Sequence, residues 1–208
     1  MKRSHKGPIT ARELDILLHS DPEWVEAKRI RDEKMAARKR YLDEAQKDLV
    51  AELNVAGFPV KSVWDLVNSP NYYDDAIPIL LRHLMIETYP EVIRDGIIRA
   101  LAIPAAREHW PLFARLYRSL PRTSAHNMFE DGLAVALSAT VSDSTFDELI
   151  EMINDESLGE SRLLLLWALR RSKKELAKQT IEKLANHPVF KTEIGSWRKR
   201  KKKPSAPS

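Results

Sequence analysis

Three stretches of the chain align on one another, and the stretches that follow them align as well. An internal repeat of this kind constrains the fold more than any other feature. Residues 76–84 (AIPILLRHL) match 109–117 (HWPLFARLY), with Pro78 on Pro111 and Arg82 on Arg115, an offset of 33 residues. Residues 145–153 (TFDELIEMI) give a third copy, and Leu80, Phe113 and Leu149 take equivalent apolar positions. Each copy leads to a second helix. Residues 92–101 (VIRDGIIRAL) match 128–137 (MFEDGLAVAL) at an offset of 36, with Asp95-Gly96 on Asp131-Gly132. Residues 160–169 (ESRLLLLWAL) follow, their Ala168-Leu169 a further 32 positions on, and residues 176–186 read as a fourth first helix. Periods in the thirties with two helices per unit predict an α-solenoid. One helix pair cannot bury both of its apolar faces, so neighbours must stack. Gly96 and Gly132 fall inside helices, where each costs about 1 kcal/mol against alanine. That cost is expected where another backbone comes close.

The segment Tyr89-Pro90-Glu91-Val92-Ile93-Arg94, followed by Arg99-Ala100-Leu101, resembles the HEAT-repeat signature, in which Pro-x-Val-Arg opens the second helix and Ala-Leu packs its end. The second copy departs from it, with His126, Met128 and Glu130 in place of Pro90, Val92 and Arg94; the third keeps Arg162 but has Leu164 in place of Gly96. The resemblance covers residues 73–186. It implies an all-α fold: a short right-handed α-solenoid of HEAT-like helix pairs preceded by a long charged helix. Uncharacterised bacterial HEAT-domain proteins are similar in their long charged helix and in the segment Ser-Val-Trp-Asp-Leu-Val, here residues 62–67. That likeness implies a fold and no activity.

Upstream of the repeats, residues 1–20 read as a flexible basic start and a weak helix over 10–19. Ser20-Asp21-Pro22-Glu23 is a helix start, with Ser20 and Glu23 at capping-box spacing and Asp21-Pro22 an equally good N-cap and first helical residue. No breaker follows before Gly57, so one helix of roughly 50 Å is expected over residues 22–56. Its first half is charged and its second half carries Leu42, Ala45, Leu49, Leu53 and Ala56 on one stripe. Residues 62–67 read as a short helical turn. The expected divisions are 1–20, 21–72 (long helix and short cap), 73–197 (repeats) and 198–208 (a disordered basic tail).

Charge separates the body from the ends. The formal net charge is +4, and Arg198, Lys199, Arg200, Lys201, Lys202 and Lys203 are consecutive cations. Without them the balance falls to −2, and without Lys2, Arg3 and Lys6 as well to −5. Nucleic-acid binding by a folded face asks for a basic body. The absence of cysteine excludes disulfides and thiolate chemistry and fits a reducing compartment. With no signal-peptide pattern and no apolar run long enough to span a bilayer, a cytoplasmic location is expected.

No catalytic constellation emerges. The glycines are too scattered for a phosphate-cradling loop. His83 and Glu87 are at i,i+4 spacing on an expected helix, but no third ligand accompanies them, so no metal and no cofactor is expected. Asp95 and Asp131 recur at one repeat position, which favours a structural role toward the adjacent repeat. Trp110, Phe113 and Tyr117 have the 3,4 spacing of a core stripe. Trp64, Tyr72 and Tyr73 flank the junction with the repeats, packing it or offering an aromatic contact patch.

The resemblance implies that second helices line a concave face, which would carry Arg94, Arg99, Glu130, Arg162 and Arg170. The expectation is a non-catalytic scaffold or adaptor that binds another protein through this face, with the charged helix near residues 29–40 as a second contact arm. The alternative is a nucleic-acid-binding protein, similar to HEAT-fold DNA alkylation-repair proteins, with contacts through Arg198, Lys199, Arg200, Lys201, Lys202 and Lys203.

Overall fold

The computed structural model describes residues 9–67, 69–122 and 127–201, and for 198–201 the backbone alone. Residues 1–8, Asn68, His126, Lys202 and Lys203 lie outside the described residues, and with them the expected basic start and the end of the expected tail. The described residues are all-helical, without a strand. They form two compact units, Met1–Ala45 and Gln46–Ser208.

In the first unit, α1 (Ala11–His19) opens on a capping box in which Thr10 and Glu13 each accept from the other's backbone N–H. Ser20 returns its hydroxyl to the Leu17 carbonyl, closing that helix. Asp21 then caps α2 (Pro22–Ala45) by accepting from the Glu23 and Trp24 N–H groups. Of the two starts offered by the sequence, Asp21 followed by Pro22 is the one used. Arg29 pairs with Glu26 and Glu33, and Lys39 with Asp43, along the exposed helix. Neither helix buries a residue.

The expected single helix over 22–56 is broken at Gln46, a correction with a clear cause. The Gln46 side chain is buried, and its amide oxygen accepts from the Ser62 hydroxyl and the Val63 N–H at 3.2 and 3.0 Å. The helix resumes as α3 (Lys47–Val55), which buries Leu49 and Leu53. Gly57, at φ +90°, ends it in a Schellman motif: Phe58 N–H donates to the Leu53 carbonyl and Gly57 N–H to that of Asn54. Of the expected stripe, Leu42 and Ala45 are half-buried and Ala56 is exposed.

The second unit continues with α4 (Trp64–Val67), α5 (Ile77–Leu84), α6 (Glu91–Ala100), α7 (Trp110–Ser119), α8 (Met128–Thr140), α9 (Phe146–Asn154), α10 (Leu166–Arg171), α11 (Glu175–Leu184) and α12 (Lys191–Lys201). Pairs α5/α6 and α7/α8 pack within themselves, and contacts also run from α4 to α6, from α6 to α8, and from α8 to the turn Glu160–Leu165. Leu80, Phe113 and Leu149, aligned in the repeat, are each fully buried.

The glycines mark the closest approach. A methyl group on Gly96 would stand 2.6 Å from Val63 Cγ1 and 3.0 Å from the Trp64 indole nitrogen. One on Gly132 would stand 2.5 Å from Ile98 Cγ2 and collide with the Asp95 carboxylate. What comes close is therefore side chains, of Val63 and Trp64 at Gly96 and of Asp95 and Ile98 of α6 at Gly132, not a backbone as expected.

A second recurring device lies at the other end of these pairs. The last carbonyls of a helix lack partners within it. Tyr73 O–H donates to the Ala100 carbonyl at the end of α6, and Trp110 Nε1–H to the Leu137 carbonyl in the last turn of α8, which also accepts from the Val141 N–H. Each donor lies 27 residues before its acceptor.

Two further corrections concern the C-terminal part. The segment expected as an α-helix over 160–169 opens instead as a 3-10 turn, Glu160–Leu165, before α10. The expected tail at 198–208 begins as helix, because α12 runs through Lys201. Phe190, Ile194 and Trp197 anchor that end, all buried.

Candidate interaction surface

The five residues expected on a shared face have different fates. Arg94 is half-buried, with its guanidinium 4.0 Å from the centroid of the Phe129 ring, and desolvation holds its pKa below the usual arginine value. Glu91, one turn earlier, accepts from the Met128 and Phe129 N–H groups and so caps α8 from α6. Arg99 bridges to the buried Asp95 at 2.8 Å. Burial pushes the Asp95 carboxyl above the ordinary carboxylate range, and Arg99 offsets this only in part.

Glu130 lies in a polar network. It faces Arg122 at 2.8 Å and accepts from the Ser161 hydroxyl, which also bonds Tyr117 O–H at 2.6 Å. Arg122 lies over the Tyr117 ring, and burial pushes the tyrosine pKa up to about 12, so it keeps its proton at neutral pH.

Arg162 is a correction to the expected face: only 4% of it is exposed. Its Nε–H donates to the Gly159 carbonyl at 2.7 Å and its Nη1 to that of Ile153, near the end of α9, at 2.8 Å. Buried inside the fold, it does not stand on an open face. Arg170 alone of the five is exposed, and it stacks on Trp167 and Trp197. Of the five, Arg162 is buried, Arg94, Arg99 and Glu130 are half-buried in contacts within and between helices, and Arg170 is exposed.

Other candidates are equally structural. His83 is buried between Tyr89 O–H at 2.6 Å and Glu52 at 3.4 Å. Glu87 does not share its helix, since α5 ends at Leu84. Among the described residues no group of three or more His, Asp or Glu stands together as a metal site. Trp110, Phe113 and Tyr117 are core, while Tyr72 is 96% exposed. No helix among the described residues is long and apolar enough to cross a membrane.

The repeat register gives no sign of a groove of about 630 Å³ where three second helices end. Ala102 and Pro104 after α6, Ser138 and Val141 at the end of α8, Phe146 at the start of α9, and Arg171 of α10 line it. Arg171 donates to the Ser138 carbonyl at 2.6 Å. Lys174 pairs with Asp143 at 2.8 Å and lies 4.5 Å from the centroid of the Phe146 ring. Arg107, also on the rim, is exposed and has no ion pair among the described residues. Cations near these helix ends offset the negative pole of the helix dipoles. The result is a wide, open, mixed apolar and basic trough.

The fold thus defines an all-helical protein of packed helix pairs. No protein-family model matches the chain, and no curated protein and no solved structure matches it either.

Proposed function

We propose that the chain is a non-catalytic protein-interaction scaffold whose second unit is a short right-handed stack of HEAT-like helix pairs. The observation that supports the stack is the repeated register at Gly96 and Gly132, the first covered by Val63 and Trp64 and the second by Asp95 and Ile98 of α6. The sequential contacts of α4, α6, α8 and the 160–165 turn support it too. The observation that carries the function is the open groove at the ends of α6, α8 and α10, apolar at Phe146 and Val141 and basic at Arg107, Arg171 and Lys174. Its breadth and lack of enclosure suit an extended protein segment with acidic side chains better than a small substrate, which an enclosed apolar pocket would hold.

The test is the pair Arg107→Glu and Lys174→Glu, two rim positions with exposed side chains and no role in closing a helix. Proteins retained by the unaltered chain from native lysate and lost to the doubly reversed variant support the groove. An unchanged partner set counts against it.

A further inference from the structure

The first unit lacks a core of its own, since neither α1 nor α2 buries a residue. Yet residues 9–45 hold eight of the fourteen large apolar side chains that stand exposed among the described residues, Leu14, Leu17, Ile30 and Tyr41 among them. In sequence, residues 1–8 add only Met1 of that kind and so bring too little apolar surface to cover them. A helix as short as α1 is marginal in water without packing. On α2, Ala27, Ile30, Ala37 and Tyr41 are all exposed and recur at spacings of three, seven and four. That is the stripe of a coiled coil, with Lys34 at its one charged position. Charge is split along the same helix. Residues 21–33 carry five acids and three bases, a balance of −2, and residues 34–40 carry four bases and no acid, a balance of +4. Glu23, Lys34, Arg38 and Arg40 have no ion pair among the described residues.

We infer that two copies of the chain meet through this unit, α2 against α2 in antiparallel sense about residue 32. The charge split selects both the partner and the direction. The acidic first half of one helix lies on the basic second half of the other, and two-fold symmetry makes that contact twice. Opposed helix dipoles favour the same arrangement. A parallel pair would set the two +4 segments side by side. In the antiparallel register Ala27 faces Ala37, where small side chains let the helices approach. Ile30 lies along the aliphatic stem of Lys34, whose charge reaches past it to water. Glu26 stands beside Arg40, and Tyr41 beside Glu23. An anionic membrane or a polyanion would take up the cations of 34–40 but be repelled by the acids of 21–26. This contact goes beyond the protein-binding reading and shares no residue with the groove of the second unit.

The experiment is sedimentation equilibrium of the full chain, which is expected at twice its 23.9 kDa. The pair dissociates more readily at about 1 M than at about 0.1 M salt, where its charges are less screened. Two charge-swapped chains sharpen the test: one carries Arg38→Glu, Lys39→Glu and Arg40→Glu, the other Glu23→Lys and Glu26→Lys. All five positions are exposed. Each swapped chain is expected to be monomeric alone, and their equimolar mixture regains the doubled mass, which also shows that both fold. Because the chain has no cysteine, single thiols report the direction. Asp32→Cys, at the two-fold axis, is joined to its own mate by a short bis-maleimide. Glu23→Cys lies about 27 Å from its mate in the antiparallel pair and is not. A monomeric mass at the highest soluble concentration, a dimer indifferent to both swaps, or crosslinking of Glu23→Cys as ready as that of Asp32→Cys overturns the assignment.

Discussion

The carboxylate of Asp95 occupies the space that Gly132 leaves by having no side chain. Asp95 of α6 thus sits in the notch of α8, and Val63 and Trp64 cover Gly96. By helix propensity alone alanine would improve both positions by about 1 kcal/mol. Overpacking of a tight contact costs about 1–3 kcal/mol. Gly96→Ala and Gly132→Ala are therefore expected to lower the denaturant midpoint with little change in slope. A rise in the midpoint at either position would mean that the helices are not in this register.

Asp95 also sets a pH dependence. Its folded pKa lies above the ordinary carboxylate value, chiefly through burial. A raised carboxyl pKa costs stability above the folded pKa, and that cost disappears below the unfolded value, near 3.8. Asp95→Asn is expected to gain stability relative to the unaltered chain at pH 7 and to lose that advantage toward pH 4. Thermal melts of both chains across this range measure it; a difference independent of pH would contradict the burial of a charged group there.

Arg162 ties the Ile153 carbonyl near the end of α9 to the Gly159 carbonyl that follows it. Arg162→Met leaves those acceptors without donors, each worth about 1–3 kcal/mol when buried and unsatisfied. Lysine cannot reproduce the forked geometry, so Arg162→Lys recovers little. Chemical denaturation of both variants checks this, and a neutral result for Arg162→Met would place the side chain on the surface.

The donors at the ends of α6 and α8 make a milder prediction. Tyr73→Phe and Trp110→Phe each remove one hydrogen bond to a helix-terminal carbonyl. The Tyr73→Phe loss is expected at about 0.5–1.5 kcal/mol, and Trp110→Phe more, because it also vacates volume in the core. Amide hydrogen exchange should speed up in the last turn of α6 for the first variant and of α8 for the second.

The helices are legible in the sequence where burial follows local periodicity. Leu80, Phe113 and Leu149 align through the repeat alone, and all three are core. The break at Gln46 is not legible, because glutamine is a good helix former and the bonds that capture it come from Ser62 and Val63, sixteen and seventeen positions away. α12 is masked by its composition. Phe190, Ile194 and Trp197 recur at helical spacing, but the cation run beside them has the character of a tail. The burial of Arg162, expected on an open face, is not legible for a different reason. Arginine is typically a surface residue, and nothing near Arg162 in sequence announces that Gly159 and Ile153 turn their carbonyls toward it. The groove has no sequence signature, because its walls come from the ends of three helices that only packing brings together.

Whether a protein partner lies in the groove at the ends of α6, α8 and α10 is tested most directly by site-specific photo-crosslinking. The crosslinker is placed at Arg107 on the rim and, as a comparison, at the exposed Val55. A scaffold that binds through the groove predicts a discrete crosslinked protein from Arg107, suppressed by Lys174→Glu and lacking from Val55. The same adducts from both positions, or none from Arg107 while Val55 reacts, would contradict it.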